Sequence, residues 1–129
     1  MPSIRHLAIR CADASTMADF YKRVFDLQEV WRDKDSRVVY LTDGVVNLAL
    51  LPPVAADSDE DNGINHFGFQ IEDLADIQKR LALEEVPPAT PRPQDGRRYA
   101  EFRAADPEGN CFDLAEKGWV IAAPPPAAE

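Results

Sequence analysis

The chain repeats one pattern, and that repeat narrows the folds open to it. A strand-like segment meets an acidic residue, a helix-like stretch and three more strand-like segments, and then the series starts again. The chain has 129 residues and two histidines, one at the head of each copy. His6 opens His6-Leu7-Ala8-Ile9-Arg10, and His66 opens His66-Phe67-Gly68-Phe69-Gln70. Internal repetition is an architectural signal, because a unit too small to close its own core buries it against its neighbour.

In the first copy, alternation over residues 3–10 predicts a half-buried strand. Asp13 is a helix N-cap for Ala14–Phe25, where Met17, Phe20, Tyr21, Val24 and Phe25 recur at helical spacing. Leu27–Arg32, Arg37–Thr42 and Val45–Leu51 read as strands, with Asp43-Gly44 as a turn. In the second copy Ile64–Ile71 is a strand and Asp73 an N-cap. Leu74, Ile77, Leu81 and Leu83 form the apolar stripe of the helix that follows. The proline-rich stretch 87–93 confines any strand there to a sheet edge. Arg98–Ala104 alternates as a strand, Asp106-Pro107-Glu108-Gly109-Asn110 is a turn, and Cys111–Ala115 is the last strand. The expectation is an α+β fold: two tandem βαβββ modules forming a curved mixed sheet around a cup. They make one domain over 1–129, with modules at 3–52 and 64–117, an acidic linker at 53–63 and a tail at 118–129. The linker lacks the spacing of a calcium-binding EF-hand loop and reads as a solvated loop.

Composition removes several function classes. A net charge of −9 opposes a nucleic-acid groove, which needs a basic field. No apolar run approaches the roughly 20 residues that span a bilayer. The start of the chain has no signal-peptide layout, so a cytoplasmic protein is expected. Cys11 and Cys111 form no Cys-x-x-Cys pair and read as free thiols. There is no glycine-rich phosphate loop. Ser3, Ser15, Ser36 and Ser58 show no nucleophile turn.

Strand parity gathers the polar residues. Side chains two apart share a face. His6 travels with Ala8 and Arg10, His66 with Gly68 and Gln70, and Asp113 with Cys111 and Ala115. Asn47 travels with Ala49 and Leu51. The opposite parity is apolar and suits a helix layer. Tyr99, Glu101 and Arg103 are expected on the polar face, because Phe102 suits the core. A single strand histidine is more often an ordinary satisfied polar residue. Two at matching positions, with a carboxylate on the final strand, meet the needs of a divalent first-row metal such as Fe, Mn, Ni or Zn.

These segments resemble the vicinal oxygen chelate superfamily, which groups glyoxalases, bleomycin-resistance proteins and extradiol dioxygenases. The resemblance covers about residues 3–117. It rests on His6-Leu7-Ala8-Ile9, on Phe20-Tyr21-Lys22-Arg23-Val24-Phe25-Asp26-Leu27 and on Asn65-His66-Phe67-Gly68-Phe69. Its most specific carrier is Asp106-Pro107-Glu108-Gly109-Asn110-Cys111-Phe112-Asp113-Leu114, similar to the family's Asp-Pro-x-Gly-x-x-x-Glu-Leu ending. The resemblance implies His6, His66 and Asp113 as metal ligands, with Asp113 in place of the family's Glu. Asn47 stands near a position that often supplies a further ligand, and as a weak ligand it is expected to orient water or substrate. The resemblance also implies a homodimer.

Two functions follow as expectations. In the first, the metal chelates a small oxygen-bearing substrate for lyase, isomerase or ring-cleaving dioxygenase chemistry. Glu101 and Tyr99 are then candidate general base and acid, and Arg10 and Arg103 candidate holders of a substrate carboxylate. Each of these reads equally as an ordinary surface or strand residue. In the second, a metal-free relative binds a planar drug among Trp31, Tyr40 and Tyr99.

Overall fold

A computed structural model describes residues 1–53, 62–93 and 99–121. Most of the acidic linker, the end of the tail and Arg98, the first residue of an expected strand, lie outside these residues. The elements in chain order are β1 (Ser3–Arg10), α1 (Ala14–Phe25), β2 (Gln28–Arg32), β3 (Val39–Thr42), β4 (Asn47–Leu51), β5 (Gly63–Gln70), α2 (Leu74–Leu83), β6 (Thr90–Pro91), β7 (Phe102–Ala105) and β8 (Cys111–Ala115). The βαβββ series therefore occurs twice. Hydrogen bonding orders the strands β2-β3-β4-β1-β5-β8-β7-β6. The β5–β8 pair is parallel, whereas β2–β3, β3–β4, β6–β7 and β7–β8 are antiparallel. The fold is mixed α+β, and the two-residue β6 sits at an edge, as its prolines require.

The chain forms two compact units. One comprises Met1–His6 and His66–Trp119, the other Leu7–Asn65 and the chain from Val120. In the second unit, Asp13 caps α1 by accepting the Thr16 N–H at 3.0 Å. The helix ends where Asp26 takes a left-handed conformation, φ 59. Ala14 and Ala18 are buried with Cys11, Val39, Leu41 and Leu50, and Met17 and Tyr21 pack against them. Phe20, Val24 and Phe25 occupy the neighbouring stripe and stay exposed. In the first unit, Asp73 caps α2 through the Ala75 N–H at 3.0 Å. Leu74, Ile77 and Leu81 pack against Ile71, Ala89, Ala104 and Leu114, while Leu83 faces away. Among the described residues no helix is long and apolar enough to cross a membrane.

Four strands begin later than alternation predicts, β2 at Gln28, β3, β4, and β7 at Phe102 instead of Arg98, and carboxylates explain β3 and β4. Asp33 Oδ1 accepts the N–H groups of Arg37 and Val38, which delays β3 to Val39. Asp43 Oδ1 does the same for Val45 and Val46, so β4 begins at Asn47. Such local side-chain bonds offer the backbone an alternative to the ladder.

Glu29 on β2 meets Lys22 Nζ at 2.7 Å and Arg32 Nη2 at 2.8 Å. The Arg32 hydrogen bonds, helped by Lys22 and opposed by partial burial, lower its carboxyl from 4.5 to about 2. A depressed carboxyl contributes stability in full above its unfolded pKa and loses it as pH falls through the folded value. The window here runs from 4.5 down to about 2. Solvent screening limits the contribution to roughly 1 kcal/mol. Urea unfolding of Glu29→Gln is therefore expected to match the native chain near about pH 2 and to fall about 1 kcal/mol below it near about pH 6.

Candidate metal centre

The first unit brings three ligand-type side chains to one point. On β1 and β5 the same alternation buries His6 with Ala8, and His66 with Gly68. On β8, Asp113 is 2 % exposed and pairs in register with Gly68 of β5 and Arg103 of β7. Directly paired residues project from the same face of a sheet. The result is a buried set of His6, His66 and Asp113 whose ligand atoms all lie within 4.8 Å of one another.

His66 Nε2 is the crowded atom. It lies 3.3 Å from His6 Nε2 and 3.1 Å from Asp113 Oδ2. An imidazole nitrogen offers one in-plane position, filled either by a hydrogen or by a lone pair. A hydrogen there can point squarely at one neighbour only. A lone pair would satisfy a donating His6 and face the carboxylate unfavourably. One cation on the shared side satisfies all three groups. Ligands about 2.1 Å from a first-row metal and at right angles to each other stand roughly 3.0 Å apart, close to both spacings. The donor set thus suits a divalent metal by chemistry, and the two spacings at His66 match one.

Asp113 is held as an anion. Burial raises its carboxyl, but hydrogen bonds from His66 and Arg103 outweigh that and keep it at about 2. Arg103 Nε donates to Oδ1 at 2.7 Å, which leaves Oδ2 for the histidine side. Outer partners of this kind fix the orientation of a metal ligand.

A fourth side chain completes the arrangement. Trp119 is 8 % exposed, and its ring lies parallel to His6, with centroids 4.9 Å apart and planes 2° apart. Its seat is glycine-shaped: a Cβ on Gly68 would lie 2.7 Å from Trp119 Cη2 and 3.2 Å from His6 Cβ. Gly118 turns the chain at φ +80 against Gln70, where a Cβ would meet Oε1 at 2.5 Å. Sequence reading placed Trp119 in a tail. The available signal was Gly68, a residue without a side chain two places from His66 on the same strand face.

The remaining candidates fall elsewhere. Tyr99 packs with Ala100, Ala115 and Trp119. The Glu101 carboxylate accepts the N–H groups of Glu116 at 2.7 Å and Lys117 at 3.4 Å. Arg10 and Asn47 belong to the second unit. There Arg10 Nη1 donates to the Pro52 carbonyl at 2.9 Å, and buried Asn47 donates Nδ2 to the Val120 carbonyl at 2.9 Å. Burial, with the Asp13 charge adding to it, pushes the Cys11 thiol up, which suits a core residue rather than a nucleophile. Cys111 is exposed.

An α+β sheet carrying a buried His-His-carboxylate set defines a class, and comparison with known proteins supplies the family. The profile of the Glyoxalase/Bleomycin resistance protein/Dioxygenase superfamily matches residues 3–114, and the chain belongs to that superfamily. No curated protein matches it. Among solved structures, a hypothetical protein from Bacillus halodurans C-125 is similar at 18% identity and TM-score 0.69, over 94% of this chain and 98% of that one. The 2,3-dioxygenase LapB from Pseudomonas sp. KL28 is similar at 20% identity and TM-score 0.69, over 92% of this chain but 42% of its own. Streptomyces coelicolor methylmalonyl-CoA epimerase, solved with 2-nitronate-propionyl-CoA, aligns at 18% identity and TM-score 0.59, over 92% of this chain and 97% of that one. At these identities the likenesses establish the fold alone.

Proposed function

We propose that the protein is a metal-dependent enzyme. His6, His66 and Asp113 would hold a divalent first-row ion, and the substrate is a small molecule that chelates it through oxygen atoms. The observation that carries this reading is the single His66 Nε2 facing both His6 and Asp113. When bound, such an ion polarises substrate oxygens as a Lewis acid.

The chain's own residues have three tasks. His6 and His66 present neutral nitrogens, and Asp113 one anionic oxygen. Arg103 holds that carboxylate in place, and its remaining N–H groups suit a carboxylate on the substrate. Burial of the three ligands limits water at the reacting oxygens. A two-histidine, one-carboxylate set with open positions suits non-haem iron and O2 chemistry. Isomerase or lyase chemistry needs a base within reach of the proton it removes. Both oxygens of Glu101, the candidate base, already accept backbone N–H groups. That supports ring-cleaving dioxygenation as the better branch. The likeness to the superfamily supports a homodimer, proposed here as cytoplasmic.

Elemental analysis of untagged protein, beside a His6→Ala/His66→Ala double variant, tests the proposal. Near-stoichiometric metal is expected in the native chain, with loss in the variant. Iron supports the dioxygenase branch, while nickel, zinc or manganese supports isomerase or lyase chemistry. A native chain that holds no metal and takes none up on reconstitution would instead be a metal-free small-molecule binder.

A further inference from the structure

We propose that Trp119 is a positioning residue of the metal centre: it fixes the plane of the His6 ring so that Nε2 meets the ion together with His66 and Asp113. The inference rests on the metal reading above and goes on to assign a residue outside the ligand set.

Side-chain preference alone leaves an imidazole plane loosely set, because the histidine χ2 torsion is broad and roughly two-fold. A neighbour must choose the plane. Trp119 lies against His6 with planes 2° apart and centroids 4.9 Å apart, so rotation of the imidazole would drive its edge into the indole. The indole is itself fixed. Gly68 gives it a floor that any side chain would fill, and Ala100, Ala115 and Tyr99 pack around it. Gly118 supplies the positive φ that turns the chain toward it. One glycine on a ligand strand and one after the last strand thus serve the same ring.

The chain has two tryptophans. Trp31 packs against Tyr40, with centroids 5.2 Å apart, and a Trp31→Phe background leaves Trp119 as the single indole. In that background Co2+ is expected to quench the emission saturably at one equivalent. By calorimetry, Trp119→Leu is expected to weaken Co2+ binding about 10-fold or more, whereas Trp119→Phe, which keeps an aromatic face, stays within about 3-fold. Gly68→Ala, which leaves the indole but displaces it, should behave as Trp119→Leu does. Proton NMR of the metal-free protein gives an independent readout. The His6 ring protons are expected upfield in the native chain, under the indole ring current, and to lose that shift in Trp119→Leu. Native Co2+ affinity in Trp119→Leu or Gly68→Ala, with the upfield shift lost, overturns the role of Trp119 alone. Failure of the native chain to bind Co2+ overturns the metal reading and this role with it.

Discussion

Asp113→Asn is expected to abolish metal binding while leaving the fold intact. Asparagine has nearly the same shape, and Asp113 is 2 % exposed, so shape matters there. Its amide oxygen can keep the Arg103 Nε bond that Oδ1 now accepts at 2.7 Å. Its amide nitrogen then replaces Oδ2, 3.1 Å from His66 Nε2, and can donate to that lone pair. The carboxylate no longer faces the His66 lone pair, which partly offsets the weaker pairing with Arg103, whose side chain is 26% exposed. Metal-free stability should therefore fall by no more than about 2 kcal/mol, the contribution that the lowered Asp113 carboxyl makes near neutral pH. The anionic donor is lost outright. Outer-shell changes alone cost about 10–100-fold in metal affinity, so losing a ligand should cost more than about 100-fold. Calorimetry with Co2+ and urea unfolding of metal-free protein measure the two effects separately. Native-like Co2+ affinity in this variant would remove Asp113 from the ligand set.

The clustering of the three candidate ligands was legible because each lies on a strand, where a period of two converts position into facing. His6 and His66 could be matched by repetition. Asp113 could be placed because the turn before it fixes where β8 begins. There Asp106 Oδ1 accepts the N–H groups of Glu108 and Asn110, and Gly109 sits at φ 90. Periodicity says nothing about residues beyond the last strand. The placing of Trp119 depends on space left empty at Gly68 and on one positive φ at Gly118. Glu101 illustrates the converse. Parity put it on the polar face with Arg103, but its carboxylate caps backbone N–H groups at 116 and 117, a tertiary bond that no spacing encodes. The exposed Phe20, Val24 and Phe25 fit helical spacing as well as the buried residues do, so spacing alone could not say which stripe of α1 faces inward.

Leu114→Ala is expected to produce the opposite separation: lost stability with the metal site preserved. Leu114 adjoins Asp113 on β8 but packs on the apolar side, with Ile71, Ala89 and Ala104 and beneath Ile77 and Leu81 of α2. Truncating a buried leucine costs about 2–5 kcal/mol, and the upper part of that range applies where the site cannot collapse. A cavity of about 250 Å³ already opens here, lined by Phe69, Ile71, Phe112 and Leu114 among others. The substitution enlarges it, and water entering such apolar walls finds no partners. On the other face, Asp113 keeps its bonds to Arg103 and His66, so Co2+ affinity should stay within about 3-fold, unlike the loss from changing an outer-shell partner. Because the ion binds the folded chain, Co2+ at about 100 times its Kd returns about 2.7 kcal/mol of the lost stability. Thermal unfolding with and without Co2+ reads both quantities on one sample. If Leu114→Ala weakens Co2+ binding as severely as Asp113→Asn does, the ligand geometry depends on the helix layer behind the sheet. The site would then be held by the core rather than by Arg103 and the two histidines alone.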